Sequence, residues 1–383
     1  MASQKQQPAK LNGPIADDGR ELTIEEIRKA IPAILFKREE ARFLISVGFS
    51  VSLTLLAGFL GYKFIPLTAI MIPAWILYAI VTGTISVGVW VLGHECGHGS
   101  FSDKKWANDV LGFILHTVYL VPYFNWQHSH HVHHSRTNHI DEGETHVPNK
   151  KESAGGQTYL KMKDAIGEDA FALYSMIISL LIGWPAYLIF GVTGGPVRGF
   201  TSHFIIPNKL FPKKMLPQLI LSIVGLLAMI YCLYLWAQAT SFATVMALYG
   251  GPYLVGNMWL VGYTFLQHTE HDIPHYDATS WTWLKGALCT IDRNYPSYIN
   301  ALHFDIGSTH VLHHIFSALP HYNAPVANEY LKQVLGKQYR FDGQSVWKSF
   351  YRACKIAAIE HVGEGEWRFI TKYPYFTKES KKE

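Results

Sequence analysis

Twenty of the 383 residues are histidine, and nine of these fall into three short clusters, eight of them at a repeated spacing that leaves out His131. The first is His94-Glu-Cys-Gly-His98, the second His130-His-Val-His-His134 and the third His310-Val-Leu-His-His314. On a helix, offsets of three and four residues return a side chain to the same face. Each cluster therefore aims two or three imidazoles one way: His94 and His98, then His130, His133 and His134, then His310, His313 and His314. Imidazole suits zinc, copper, iron and nickel. A structural zinc takes about four ligands and a catalytic one about three from protein, so eight histidines exceed the needs of one ion. Two six-coordinate metals with open positions use them naturally. Iron can activate O2, whereas zinc has no redox chemistry. The first cluster also fits the letters of a zinc-protease H-E-x-x-H motif, but that reading strands the other six histidines.

The elements that must hold these clusters are those of a membrane protein. Charged residues make up 16% of the chain, against about 25% in a soluble domain. Phe43–Tyr62 and Pro66–Leu92 carry no formal charge over twenty and twenty-seven residues. At about 1.5 Å per residue each can cross a hydrocarbon core roughly 30 Å thick. Lys63 alone separates them with a charge, so they form a hairpin whose second arm ends at the first cluster. Leu111–Phe124, interrupted by His116, is too short to cross and reads as interfacial or re-entrant.

Three further apolar stretches follow: Phe171–Gly194, Leu219–Ala237 and Phe242–Leu266. If the clusters share one site, an even number of crossings separates them, so one of the three does not cross. The connector 195–216 holds Arg198, Lys209, Lys213 and Lys214 and no acid, which marks it as cytoplasmic. Uncharged Gln238–Ser241 fits the other side. Residues 219–237 and 242–266 are then the second hairpin. Residues 171–194, broken at Gly183-Trp184-Pro185, lie in or dip into the cytosolic leaflet.

The expected fold is all-α: two transmembrane helical hairpins and interfacial helices under a cytosolic helical cap that holds the histidine site. Residues 1–42 read as a polar tail and an interfacial helix capped by Thr23 and Glu26. Residues 43–266 form the membrane region with the first two clusters, and 267–383 the cap with the third. Residues 1–20 lack the apolar core of a signal peptide. Cys96, Cys232, Cys289 and Cys354 are isolated and read as reduced thiols. Net charge is +4 with no dense basic block, which argues against nucleic acid. A metal transporter would want polar residues in the middle of its spans, and these spans are nearly free of them.

The three clusters, in this order, resemble the histidine boxes of the membrane fatty-acid desaturases, and most closely the Δ12 (ω-6) oleate desaturases of plants and microbes. The resemblance runs from about Leu22 to about Gly365. It includes Thr23–Arg38, His94–Ser102, Val121–His134, Gly183–Tyr187, Gln267-His-Thr269, Ile291-Asp-Arg293 and Thr309–Tyr322. It implies two non-haem irons held by His94, His98, His130, His133, His134, His310, His313 and His314. It adds His268, at the end of the last membrane stretch, and leaves His303 as a lesser candidate. His128, His131, His139 and His146 read as surface or outer groups, and His116, His271, His275 and His321 as hydrogen-bonded structural residues. Glu95, Asp141, Glu142, Glu144 and Asp305 are candidates to orient ligating imidazoles.

A methylene C–H has no acid–base handle at ordinary pH, so carboxylate pairs and Ser/His/Asp triads cannot remove its hydrogen. An oxidant made from O2 at iron can, with the protein holding the metals, fixing the carbon presented and keeping the pocket dry. There is no dinucleotide fingerprint and no fused haem motif. The resemblance therefore implies cytochrome b5 and its NADH-dependent reductase as electron donors, with loop 195–216 as a candidate docking face. It also implies an oleoyl-phospholipid or acyl-CoA substrate and a multi-pass place in the endoplasmic reticulum membrane, boxes facing the cytosol. The same boxes serve ω-3 desaturases and fatty acyl hydroxylases, acetylenases and conjugases. His310 opening the third box, without a haem domain, argues against front-end activity.

Overall fold

A computed structural model describes residues 22–371; the polar tail 1–20 and the Lys-rich end 378–383 lie outside them. The described chain opens on α1 (Ile24–Ala30), which starts on the expected capping box. Glu26 N donates to Thr23 Oγ1 at 3.3 Å, and Thr23 N donates to Glu26 Oε2 at 2.8 Å. Two otherwise unpaired donors are thereby satisfied.

Helices α2 (Glu40–Phe64) and α3 (Ile72–Gly97) pack as the first hairpin. On α2, Ile45, Leu55 and Phe64 are 72%, 68% and 68% exposed, which only a lipid surround makes favourable. α3 runs inward instead, and its last two turns are buried. Two short helices follow, α4 (Lys105–Thr117) and α5 (Tyr123–Ser135). At 13 residues and roughly 20 Å, α4 is too short to cross, as expected.

After α6 (Ala154–Ile166) comes α7 (Glu168–Phe190), then α8 (Leu216–Ala239). The run then turns at Ser241 into α9 (Phe242–Val245), a π turn (Met246–Gly250) and α10 (Gly251–His268). Among the described residues, four helical runs are long and apolar enough to cross a bilayer: Glu40–Phe64, Ala69–Gly97, Glu168–Phe190 and Lys213–Ala239. The 242–268 run is continuous, but it packs on α3 and α7 and carries Asn257, Thr264 and several glycines, so it is less apolar than these four.

The structure corrects one expectation outright. α7 is not broken at Gly183-Trp184-Pro185; Pro185 sits inside a continuous helix. A proline removes one backbone bond, and here the burial of Trp184, Tyr187 and Leu188 offsets it. α7 packs along α10, where a Cβ on Gly183 would lie 3.2 Å from Val261 and one on Gly262 3.9 Å from Leu180.

The cap contains α11 (Trp283–Ala287), α12 (Ser297–His303), α13 (His310–Ile315), α14 (Ala324–Leu335) and α15 (Val346–Ala353). It also holds short strands. β1 (His275–Tyr276), β4 (Ile359–Gly363) and β5 (Glu366–Phe369) form an antiparallel sheet in the order β1-β5-β4. β2 (Asp292–Arg293) pairs in parallel with β3 (Phe341–Asp342). A buried ion network fastens this cap to α10. Fully buried Arg293 donates to Leu266 O at 2.8 Å, to Glu270 at 3.2 Å and to Asp342. Arg352 of α15 donates to the same two carboxylates at 2.5 and 2.9 Å. Burial alone would raise the Glu270 carboxyl. Its bonds to His271 and Arg352, with the nearby guanidinium charges, hold it far below the usual range.

Candidate metal centre

Four segments converge on one point. α3 delivers His94 and ends with His98 as its C-cap, where Gly99 turns the chain with φ +73°. α5 delivers His130, His133 and His134. Its ring of Trp126 stacks on His130 at 4.6 Å. α10 ends on His268. α13 delivers His310, His313 and His314, although six residues alone make a poor helix. Asp292 holds its start: Oδ1 accepts from Val311 N at 2.8 Å, and Oδ2 accepts from Asn328 at 2.9 Å and from the Tyr339 hydroxyl.

The nitrogens sort into two groups. His94, His98, His130, His134 and His313 form one; His133, His268 and His314 form the other, with all donor atoms in a group within 4.8 Å of one another. His310 joins the second, its Nε2 3.0 Å from that of His268. The structure thus brings together all eight box histidines and His268. Nε2 of His98, His313 and His314 are buried with no hydrogen-bond partner among the described residues. Leaving such atoms bare costs about 1–3 kcal/mol each. Burial, reinforced by neighbouring imidazoles, holds His130, His134 and His314 well below their usual pKa, and burial holds His313 at about 3. Nine neutral imidazoles with lone pairs aimed inward are what cations of the iron–copper–zinc class require, so the residues fit a two-metal centre.

Neighbours orient four of these rings. Glu95 Oε1 accepts from His94 Nδ1 at 3.2 Å and lies 4.0 Å from His313 Nδ1. Thr137 donates its hydroxyl to His133 O at 2.7 Å, so it accepts from His314 Nδ1 at 3.2 Å. Thr145 Oγ1 bonds His133 Nδ1 at 3.0 Å. These bonds leave Nε2 of His94 and His314 without a proton. The loop acids do no such work. Asp141 pairs with Lys150, Glu142 with Arg136 and Glu144 with Arg198. Half-buried Asp305 bonds locally through its backbone carbonyl to Ser308 and Thr309. The threonines escaped sequence reasoning, although Thr137 stands three residues after a box histidine.

His303 is not brought to either group: its Nδ1 bonds the Tyr263 hydroxyl at 2.8 Å and its Nε2 donates to Thr84 O at 2.6 Å. His128 bonds Leu210 O, and His131 is exposed. His139 is buried, not at the surface; its Nδ1 accepts from the backbone of Asp141 and Glu142. His146 lies in the wall of the main cavity. His116, His271 and His321 are hydrogen-bonded as expected, to Trp90 O, Glu270 and Ser46.

That cavity has a volume of about 430 Å³. His94, His130, His133, His268 and His310 line it together with apolar Val87, Trp90, Trp184, Leu260, Val261 and Ile306.

The fatty acid desaturase family model matches residues 71–345. A Delta(12) fatty acid desaturase of Calendula officinalis is 39% identical, over 91% of each chain. A Delta(12)-fatty-acid desaturase of Arabidopsis thaliana is 38% identical, over 90% of this chain and 89% of its own. An oleoyl-12-hydroxylase of Ricinus communis is 35% identical, over 90% of this chain and 88% of its own.

Proposed function

The chain belongs to the fatty acid desaturase family, and from that premise we propose that it inserts the Δ12 (ω-6) double bond into oleoyl chains to give linoleoyl chains. The observation that carries this reading is the apolar cavity with histidines of both nitrogen groups in its wall. His94, His98, His130, His134 and His313 would hold one iron, and His133, His268, His310 and His314 the other. Bound there, the irons would supply the O2-derived oxidising power that an unactivated C–H requires.

The rest falls to the chain's own side chains. Two hydrogens leave neighbouring carbons, and O2, two electrons and two protons end as two waters. Glu95, Thr137 and Thr145 hold the imidazoles of His94, His313, His314 and His133 against rotation. Val87, Leu260 and Val261 exclude water from the acyl chain. A run of methylenes offers nothing polar to read, so the length and bend of this cavity, walled by Trp90 and Trp184, choose the carbons. The electrons enter from cytochrome b5 and its NADH-dependent reductase, with the boxes on the cytosolic face of the endoplasmic reticulum. The acyl carrier is a phospholipid or coenzyme A.

A second reading has one specific support, the 35% identity to an oleoyl-12-hydroxylase. Expression in a yeast that makes oleate but no polyunsaturates decides between them. Chromatography of fatty-acid methyl esters is expected to show linoleate, absent in His310→Ala. A hydroxylated product in its place would overturn the desaturase reading and keep the site.

A further inference from the structure

The two nitrogen groups are unequal. One has five histidines and the other four, His133, His268, His310 and His314. Three of those four face the main cavity, and so does one more histidine, His146. Its ring lies parallel to that of His268, with centroids 5.3 Å apart and planes at 11°. It stands 6.4 Å from the ring of His133. Its nitrogens are not among the donor atoms that lie within 4.8 Å of one another. They make no hydrogen bond to another described residue, unlike the ring nitrogens of His116, His203 and His303, each of which bonds a backbone carbonyl.

The backbone is held in an uncommon state to place this ring. His146 has φ +56°, the left-handed region that a non-glycine residue seldom adopts. Bonds on each side keep it there. Thr145 Oγ1 bonds His133 Nδ1 at 3.0 Å, and Val147 N donates to Thr193 O at 3.0 Å. The His146 carbonyl accepts from the buried ring of His275. A loop needing only a cover for the cavity would be met by an apolar residue in ordinary backbone. Here a polar ring is turned inward, one ring's thickness beyond a donor of the group that has a nitrogen fewer.

We propose that His146 is the outer-sphere donor of the four-histidine group. It hydrogen-bonds the small non-protein ligand, a water or an anion, that occupies the cavity-facing side of that metal. It is a positioning residue, not a tenth ligand. The proposal rests on the reading of the nine histidines as a two-iron site.

The test uses purified holoenzyme in its oxidised form, titrated with azide and followed by absorption, with iron per chain and thermal melting recorded for each protein. His146→Phe keeps the stacked ring and removes both nitrogens. His146→Asn tolerates the left-handed backbone but is too short to reach the group, and it decides the matter if the Phe variant does not fold. Both are expected to keep two irons per chain and to bind azide about tenfold more weakly, the loss of one hydrogen bond to an ionic partner. Unchanged azide affinity with both irons retained would reduce His146 to packing and overturn the proposal. Loss of one iron would make it a direct ligand and overturn it as stated. A wild-type enzyme that binds fewer than two irons would instead sink the two-iron reading beneath it.

Discussion

The carboxylate of Glu95 lies 4.0 Å from Nδ1 of His313 while accepting a hydrogen bond from Nδ1 of His94, so one buried acid serves imidazoles from the first and third clusters. Ser100 Oγ donates to its other oxygen at 3.0 Å. The pair couples two segments of sequence more than two hundred residues apart.

Glu95→Gln keeps the shape and removes the charge that both rings face. The expected result is a 10–100-fold loss of metal affinity or activity, the usual cost of removing an orienting partner. Iron retained per chain after a chelator challenge is the measurement.

His268→Ala and His303→Ala should part company. Removing His268 takes a nitrogen from the four-histidine group, and iron is expected to fall to about one per chain with activity lost. His303 bonds Tyr263 and Thr84 away from both groups. Its removal should leave two irons and lower stability by about 1–3 kcal/mol, for buried partners left bare. Equal iron loss in both variants would contradict the geometry.

Gly88→Ala tests how closely α12 must approach α3. A Cβ there would come within 2.5 Å of Leu302 O and 2.8 Å of Ser50 Oγ. Backbone cannot yield cheaply, so overpacking of about 1–3 kcal/mol is expected, read as a lower melting temperature in detergent.

Asp342 supplies a pH dependence. Burial raises its carboxyl, but bonds from Ser349 and Gln344 and the charges of Arg293 and Arg352 bring it below the ordinary aspartate value. A depressed folded pKa means stability present in full above the unfolded value of about 3.9 and lost as pH falls through the folded one. Melting temperature against pH should therefore drop on acidification below about pH 4, and Asp342→Asn should flatten that drop while lowering the neutral plateau.

The histidine clusters were readable because a helix makes spacing of three and four into direction, and the hairpin 43–92 because length and charge suffice to find it. The orienting groups were not readable, since they depend on loop geometry. Thr145 and His146 reach the site through a left-handed residue, and Asp292 reaches α13 through the pairing of β2 with β3. No periodicity announces either. Gly183-Trp184-Pro185 misled for the opposite reason. Its local breaking tendency was overridden by the burial of Trp184 and Tyr187 against α3, α5 and α10.

The unequal division of nitrogens also sets an order in time. Four of the five donors in one group lie within residues 94–134, whereas the other group takes only His133 from that stretch and waits for His268, His310 and His314. A chain emerging from the ribosome therefore owns most of its first coordination site while more than half of the polypeptide is still unmade. The second site closes only as the last third is translated.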